Sequence, residues 1–213
     1  MRGPFPWRDH LIAALDQGLR TLAARPTAAR PSPADDLPPD DALTVEERSS
    51  SAALLRVNHA GEIAAQALYS GQALVARSAD TRNHLRAAAD EEHDHLAWCA
   101  ARLEELGGRS SWLDPFWYLG SFVIGMAAGS CGDRSSLGFV TETERQVEAH
   151  LHDHLQRLPA RDRRSNAILS RMAADEAHHG TTARLAGGAE LPSVVRACMS
   201  IGGGVLRRVA LHV

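Results

Sequence analysis

The feature that most constrains this 213-residue chain is a spacing that occurs twice. Glu62 is followed by Glu92 and His95, and Glu144 is followed by Glu176 and His179. The first separation is 30 residues and the second 32, and each ends in Glu-x-x-His. A helix turns about 100° per residue, so side chains three apart lie about 60° apart on one face, one turn from each other. Both members of each pair can therefore reach a single point beside the helix. One Glu-x-x-His arises by chance in an acidic, His-containing helix. Two of them, each about thirty residues after another helical Glu, imply two matching helix pairs facing a shared site.

The rest of the chain supports helices at these places. Aromatics make up only 5% of residues while Ala and Leu abound, which favours helix over sandwich or barrel. The pattern places helices over about 46–78, 80–106, 135–158 and 161–186. Gly107-Gly108 and Gly187-Gly188 stand where the second and fourth should stop, and Asp162 is an early acid for the fourth. A bundle with Glu-x-x-His on two helices and a single Glu on each of the other two is the ligand plan of ferritin-like di-iron proteins. The expected fold is all-α, a ferritin-like four-helix bundle with a long apolar crossover and short extra helices at the C-terminus. The expected metal ligands are Glu62, Glu92, His95, Glu144, Glu176 and His179. A set of oxygen and nitrogen donors without thiolate suits iron or manganese better than structural zinc. Two divalent ions neutralise four carboxylates, with Glu92 and Glu176 as the natural bridges.

Competing registers exist. Glu91 with His95, Asp175 with His178, and Glu142 or Glu148 in place of Glu144 are each geometrically possible. The chosen set is the one in which both halves repeat the same order. Glu91 and Asp175 then occupy equivalent places, one residue before a ligand Glu. From there each can hydrogen-bond the free nitrogen of a ligand His. His93 and His178 are expected at the surface or rim. His59, three residues before Glu62, is either a partner to the site or a helix-start histidine. Of His150, His152 and His154, one or two can face the core, His150 first. Cys99 is expected to be a small core residue.

Outside the bundle, residues 7–25 read as an amphipathic helix with Leu11, Ala14, Leu15, Leu19 and Leu22 on one face. Residues 26–42 hold five prolines and read as an extended linker. This divides the chain into 1–45, an N-terminal helix and linker, and 46–213, the di-iron domain. Residues 115–132 carry no charge; they read as a buried crossover, with a lipid-facing surface as the sharper alternative. The tail, 193–213, reads as two short core helices split at Gly202-Gly203-Gly204. A net charge of −3 argues against nucleic-acid binding. The cysteines, Cys99, Cys131 and Cys198, form no CxxC pair and no even set, which points to a reducing cytosol. The N-terminus lacks the unbroken apolar core of a signal peptide, and no Gly-rich dinucleotide fingerprint occurs.

Leu54-Leu55-Arg56-Val57-Asn58-His59-Ala60-Gly61-Glu62 resembles the first-helix signature of the demethoxyubiquinone hydroxylase family of ubiquinone biosynthesis. Glu144-Arg145-Gln146-Val147-Glu148-Ala149-His150 and Asp175-Glu176-Ala177-His178-His179 match its third and fourth helices. The resemblance runs from about residue 50 to the end. It implies two iron ions per chain (Fe2+/Fe3+) held by the six ligands and bridged by Glu92 and Glu176. It also implies O2-dependent ring hydroxylation of a polyprenylated demethoxyubiquinol (3-demethoxyubiquinol 3-hydroxylase). The quinol itself can supply the electrons that reduce the irons. The expected partners are that quinol, O2 and membrane lipid touched peripherally, with other ubiquinone-biosynthesis proteins or a homo-oligomer beyond them. The expected location is the cytoplasmic face of the cell membrane. Two other readings share the ligand plan: iron storage in a shell, and peroxide scavenging of the rubrerythrin-like kind. The apolar crossover speaks against the first, and the missing Cys-rich module against the second.

Overall fold

A computed structural model describes residues 6–39 and 43–213, except for the side chains of 6–11 and 15. Among them are seven helices: α1 (Pro6–Ala23), α2 (Val45–Val75), α3 (Ala79–Glu105), α4 (Asp114–Ser130), α5 (Asp133–Arg157), α6 (Arg163–Leu185) and α7 (Ser193–Ala210). The all-α ferritin-like bundle forms from α2, α3, α5 and α6, within two residues of the expected bounds at nearly every end.

Local chemistry sets those ends. Thr44 caps α2 in a reciprocal box with Glu47, each side chain meeting the other's backbone N–H. The Asp162 carboxylate accepts from the Ser165 N–H at 2.9 Å and starts α6. Gly107 and Gly187 close α3 and α6 with φ of +71° and +104°, a region open to residues lacking a Cβ.

The bundle core has three layers. Leu54, Leu55, Trp98, Cys99, Leu103, Leu151, Ile168, Leu169 and Met172 form an apolar cluster at one end. Tyr69, Leu85, Ala88, Val140 and Ala183 belong to another at the opposite end. Between them, on all four helices, lies a layer of buried Glu and His.

The crossover is a helix. α4 runs alongside α2 in the same direction, with Trp117 near Val57 and Ala60, and Gly125 against Leu68. Its approach is very close: a Cβ on Gly125 would stand 2.2 Å from the Leu68 carbonyl oxygen. The expectation of a buried segment holds for one face only. Tyr118 is buried and Trp117 and Phe122 pack inward, whereas Phe116, Leu119, Val123 and Ile124 are exposed. α1 lies against α2 and α4. It docks through Gly18, against Tyr118, and through Thr21, which donates to Gln66 Oε1 at 2.7 Å. Leu19 and Leu22 face outward, while Leu11 and Leu15 lie outside the described side chains. The tail is one continuous helix, α7, and not two: the three glycines stay helical. Arg56 donates to the carbonyls of Ala210 and Leu211, both at 2.8 Å, and Leu206 and Ala210 pack on α2. Val194, Ile201 and Val205 remain exposed. Among the described residues no helix is long and apolar enough to cross a membrane.

Candidate metal centre

All six residues singled out by the spacing converge in the middle layer. Glu62 comes from α2, Glu92 and His95 from α3, Glu144 from α5, and Glu176 and His179 from α6. Every one is buried. They fall into two overlapping groups whose donor atoms all lie within 4.8 Å of one another. One is Glu62, Glu92, His95 and Glu176; the other is Glu92, Glu144, Glu176 and His179. Glu92 and Glu176 belong to both.

The two histidines are oriented alike. His95 turns Nδ1 toward the cluster, 3.0 Å from Glu92 and 3.3 Å from Glu176. Its Nε2 meets Asp175 Oδ2 at 3.1 Å. His179 Nδ1 lies 3.3 Å from Glu92 and 3.5 Å from Glu176, and its Nε2 meets Glu91 at 3.0 Å. Each imidazole is thus fixed by the acid that precedes the ligand Glu on the opposite helix. A carboxylate there holds the Nε2–H tautomer and leaves Nδ1 as the donor.

The competing residues lie elsewhere. Glu142 is occupied by Arg145 at 2.7 Å and Gln146 at 2.7 Å. Glu148 pairs with exposed His152 at 3.7 Å, and His178 is exposed. His59 faces Asp114, 3.4 Å away at the start of α4. His154 is the more buried of the α5 histidines, with His150 beside it; both reach Asn58 Oδ1, at 3.0 and 3.3 Å. Burial pushes them down, to about 4 and about 3, so both are neutral there. Cys99 is buried, its thiol 3.7 Å from the Met172 sulfur.

Two functional neighbours escaped the sequence reading. Tyr69 is buried and donates its hydroxyl to Glu144 Oε1. It stands seven residues after Glu62, two turns along the same face, so the periodicity did carry a signal for it. Arg30, from the Pro-rich segment, bridges Asp94 and Asp175, at 2.6 and 2.9 Å. No periodic pattern marks it.

The electrostatics are those of a cation site. Burial drives Glu62 and Glu144 well above the usual carboxylate range, and neighbouring carboxylates push the same way. Burial also works against ionised Glu92, but the imidazoles of His179 and His95, 3.3 and 3.0 Å away, outweigh it and hold Glu92 low. Burial disfavours both imidazolium ions, yet the surrounding acids raise His95 strongly and push His179 up to about 12. Five cluster atoms, Glu92 Oε1, Glu144 Oε2, both Glu176 oxygens and His179 Nδ1, are buried without a hydrogen bond. Each such orphan costs about 1–3 kcal/mol. Two cations among four carboxylates and two Nδ1 atoms would satisfy all of them, so the donor set fits metal.

Comparison with known proteins agrees with this geometry. The family described as ubiquinone biosynthesis protein COQ7 matches residues 49–210. A 3-demethoxyubiquinol 3-hydroxylase of Nitrosomonas eutropha is 53% identical over 205 residues, covering 96% of this chain and 98% of that protein. Proteins of the same name from Nitrosococcus oceani and Cupriavidus taiwanensis are 52% and 53% identical. These alignments cover 95% and 96% of this chain, and 94% and 100% of those proteins.

Proposed function

The chain belongs to the family of ubiquinone biosynthesis protein COQ7, and from that premise we propose a 3-demethoxyubiquinol 3-hydroxylase built on a di-iron centre. The ligands in this reading are Glu62, Glu92, His95, Glu144, Glu176 and His179, with Glu92 and Glu176 bridging. The observation that carries it is the pair of overlapping four-donor groups sharing those two glutamates. Bound there, two irons would supply O2 activation and oxygen transfer to the quinol ring. Residues 46–213 form the di-iron domain, preceded by the N-terminal segment 1–45.

The protein's own part is positional. The apolar clusters above and below the acid layer exclude water from it. Glu91 and Asp175 orient the two imidazoles. Tyr69, hydrogen-bonded to Glu144, holds a proton at the edge of the centre; burial keeps that phenol far from ionisation. The substrate's polyprenyl tail resides in lipid, so the enzyme works at the membrane surface, peripherally, on its cytoplasmic face. The outward apolar residues of α1, α4 and α7 supply the contact.

The test has two arms. Anaerobically reduced, iron-loaded protein given O2 and a short-chain demethoxyquinol should yield product heavier by one oxygen atom. Iron analysis should give about two per chain, falling by one or both in Glu92→Ala and Glu176→Ala. Full occupancy in both variants would reject the bridging assignment.

A further inference from the structure

The helices bearing the two Glu-x-x-His pairs, α3 and α6, turn acids toward one another beside the centre: Asp94 from α3 and Asp175 from α6, both buried. Arg30 enters between them from the Pro-rich segment. Its Nε donates to Asp94 Oδ2 at 2.6 Å and its Nη1 to Asp175 Oδ2 at 2.9 Å. The Ala29 N–H adds a bond to Asp94 Oδ1 at 2.6 Å. The guanidinium lies 4.9 Å over the Trp98 ring, whose Nε1 donates back to the Arg30 carbonyl at 3.4 Å. Further along, Arg164 of α6 donates to the carbonyls of Ala34 and Leu37, at 2.8 and 2.6 Å. The segment is a strap fastened at both ends across α3 and α6.

The oxygen that Arg30 grips is the one that His95 uses. Asp175 Oδ2 accepts from Arg30 and stands 3.1 Å from His95 Nε2. Arg171 also reaches Asp175, at 3.0 Å, but from an exposed position on the same helix. The equivalent acid for His179, Glu91, is half-exposed. We infer that Arg30 is a positioning residue for the metal centre: it fixes Asp175, and through Asp175 the orientation of His95. A planar guanidinium can bridge two carboxylates at once, which a lysine's point charge does poorly. The inference rests on the metal reading above.

The test loads the full chain with Co2+ and records proton NMR in water. The Nε2–H protons of His95 and His179 should appear as two shifted, exchangeable signals, with Glu91→Gln identifying that of His179. In Arg30→Ala the His95 signal should exchange about 10-fold faster while the His179 signal holds, and Co2+ affinity should fall about 10-fold. Arg30→Lys should move the same signal by less, and it carries the test if Arg30→Ala fails to fold. Loss of both signals alike, or of neither, overturns the inference, because general loosening does not select one histidine. Wild-type protein lacking both signals overturns the metal reading itself, a separate result.

Discussion

Metal binding to this centre should expel protons, and the number can be worked from the structure. In the metal-free chain burial favours the protonated forms of Glu62 and Glu144 above the ordinary carboxylate range. His95 and His179, raised by the acids around them, each carry a second ring proton. Each group that holds such a proton must lose it before it can ligate, so up to about four are released per pair of metals. The sign follows directly: the metal-free form binds more protons, so raising the pH favours the metal form. With about four released, the overall constant for the pair climbs about four powers of ten per pH unit, or about two per metal. The window lies above the ordinary carboxylate range and below the value of about 12 for His179. Anaerobic Fe2+ titration calorimetry, repeated in buffers of different ionisation enthalpy, counts the protons as the slope of heat against that enthalpy. Glu62→Gln should lower the count by about one. Release of less than one proton, with affinity flat across the window, would refute the argument that burial and imidazolium–carboxylate contacts set the protonation of the cluster.

Four further outcomes test the frame around the site. Gly125→Ala drives a Cβ to 2.2 Å from a carbonyl oxygen that cannot rotate away; overpacking of about 1–3 kcal/mol should exceed the gain of about 1 kcal/mol in helix propensity. Gly120→Ala on the same helix, with nothing near its Cβ, should instead raise the melting temperature by about 2–4 °C. Asp162→Ala removes one acceptor of buried Arg102, which keeps Glu105 at 2.7 Å, and with it the α6 cap; chemical denaturation should show a loss of about 1–3 kcal/mol. Phe116→Ser with Leu119→Ser and Val123→Ser should release the protein from liposomes in a flotation assay while circular dichroism stays helical; retained binding would remove α4 from the membrane contact.

The cluster of the candidate centre was legible in the sequence because its information is local. Each Glu-x-x-His is set by helix pitch alone, and the duplication chose the register that Glu142 and His178 would have confused. Even the orienting acids, Glu91 and Asp175, could be read, since they hold the same place in both halves. Arg30 could not. It lies 145 residues from Asp175 and is placed by the strap's path over α3 and α6, not by any repeat. The glycines of α7 misled for a related reason. Propensity penalises them by about 1 kcal/mol each, but the docking of Leu206 and Ala210 and the Arg56 bonds to the last carbonyls hold the helix through them.

The outer helices expose what periodicity leaves open. An apolar stripe predicts that a face is covered without saying by what. In α2, α3, α5 and α6 the large side chains point inward and cover one another. α1 and α4 have two apolar faces: Gly18, Gly125, Gly129 and Tyr118 make the inward contacts, while Leu19, Phe116, Leu119 and Val123 are exposed. α7 follows with Ala210 buried and Ile201 and Val205 outside. Large apolar side chains left outside a packed inner face mark a surface suited to an apolar neighbour. Three helices share such an outer face, and among the described residues no helix is long and apolar enough to span a bilayer. Such a surface is what the proposed membrane contact would use.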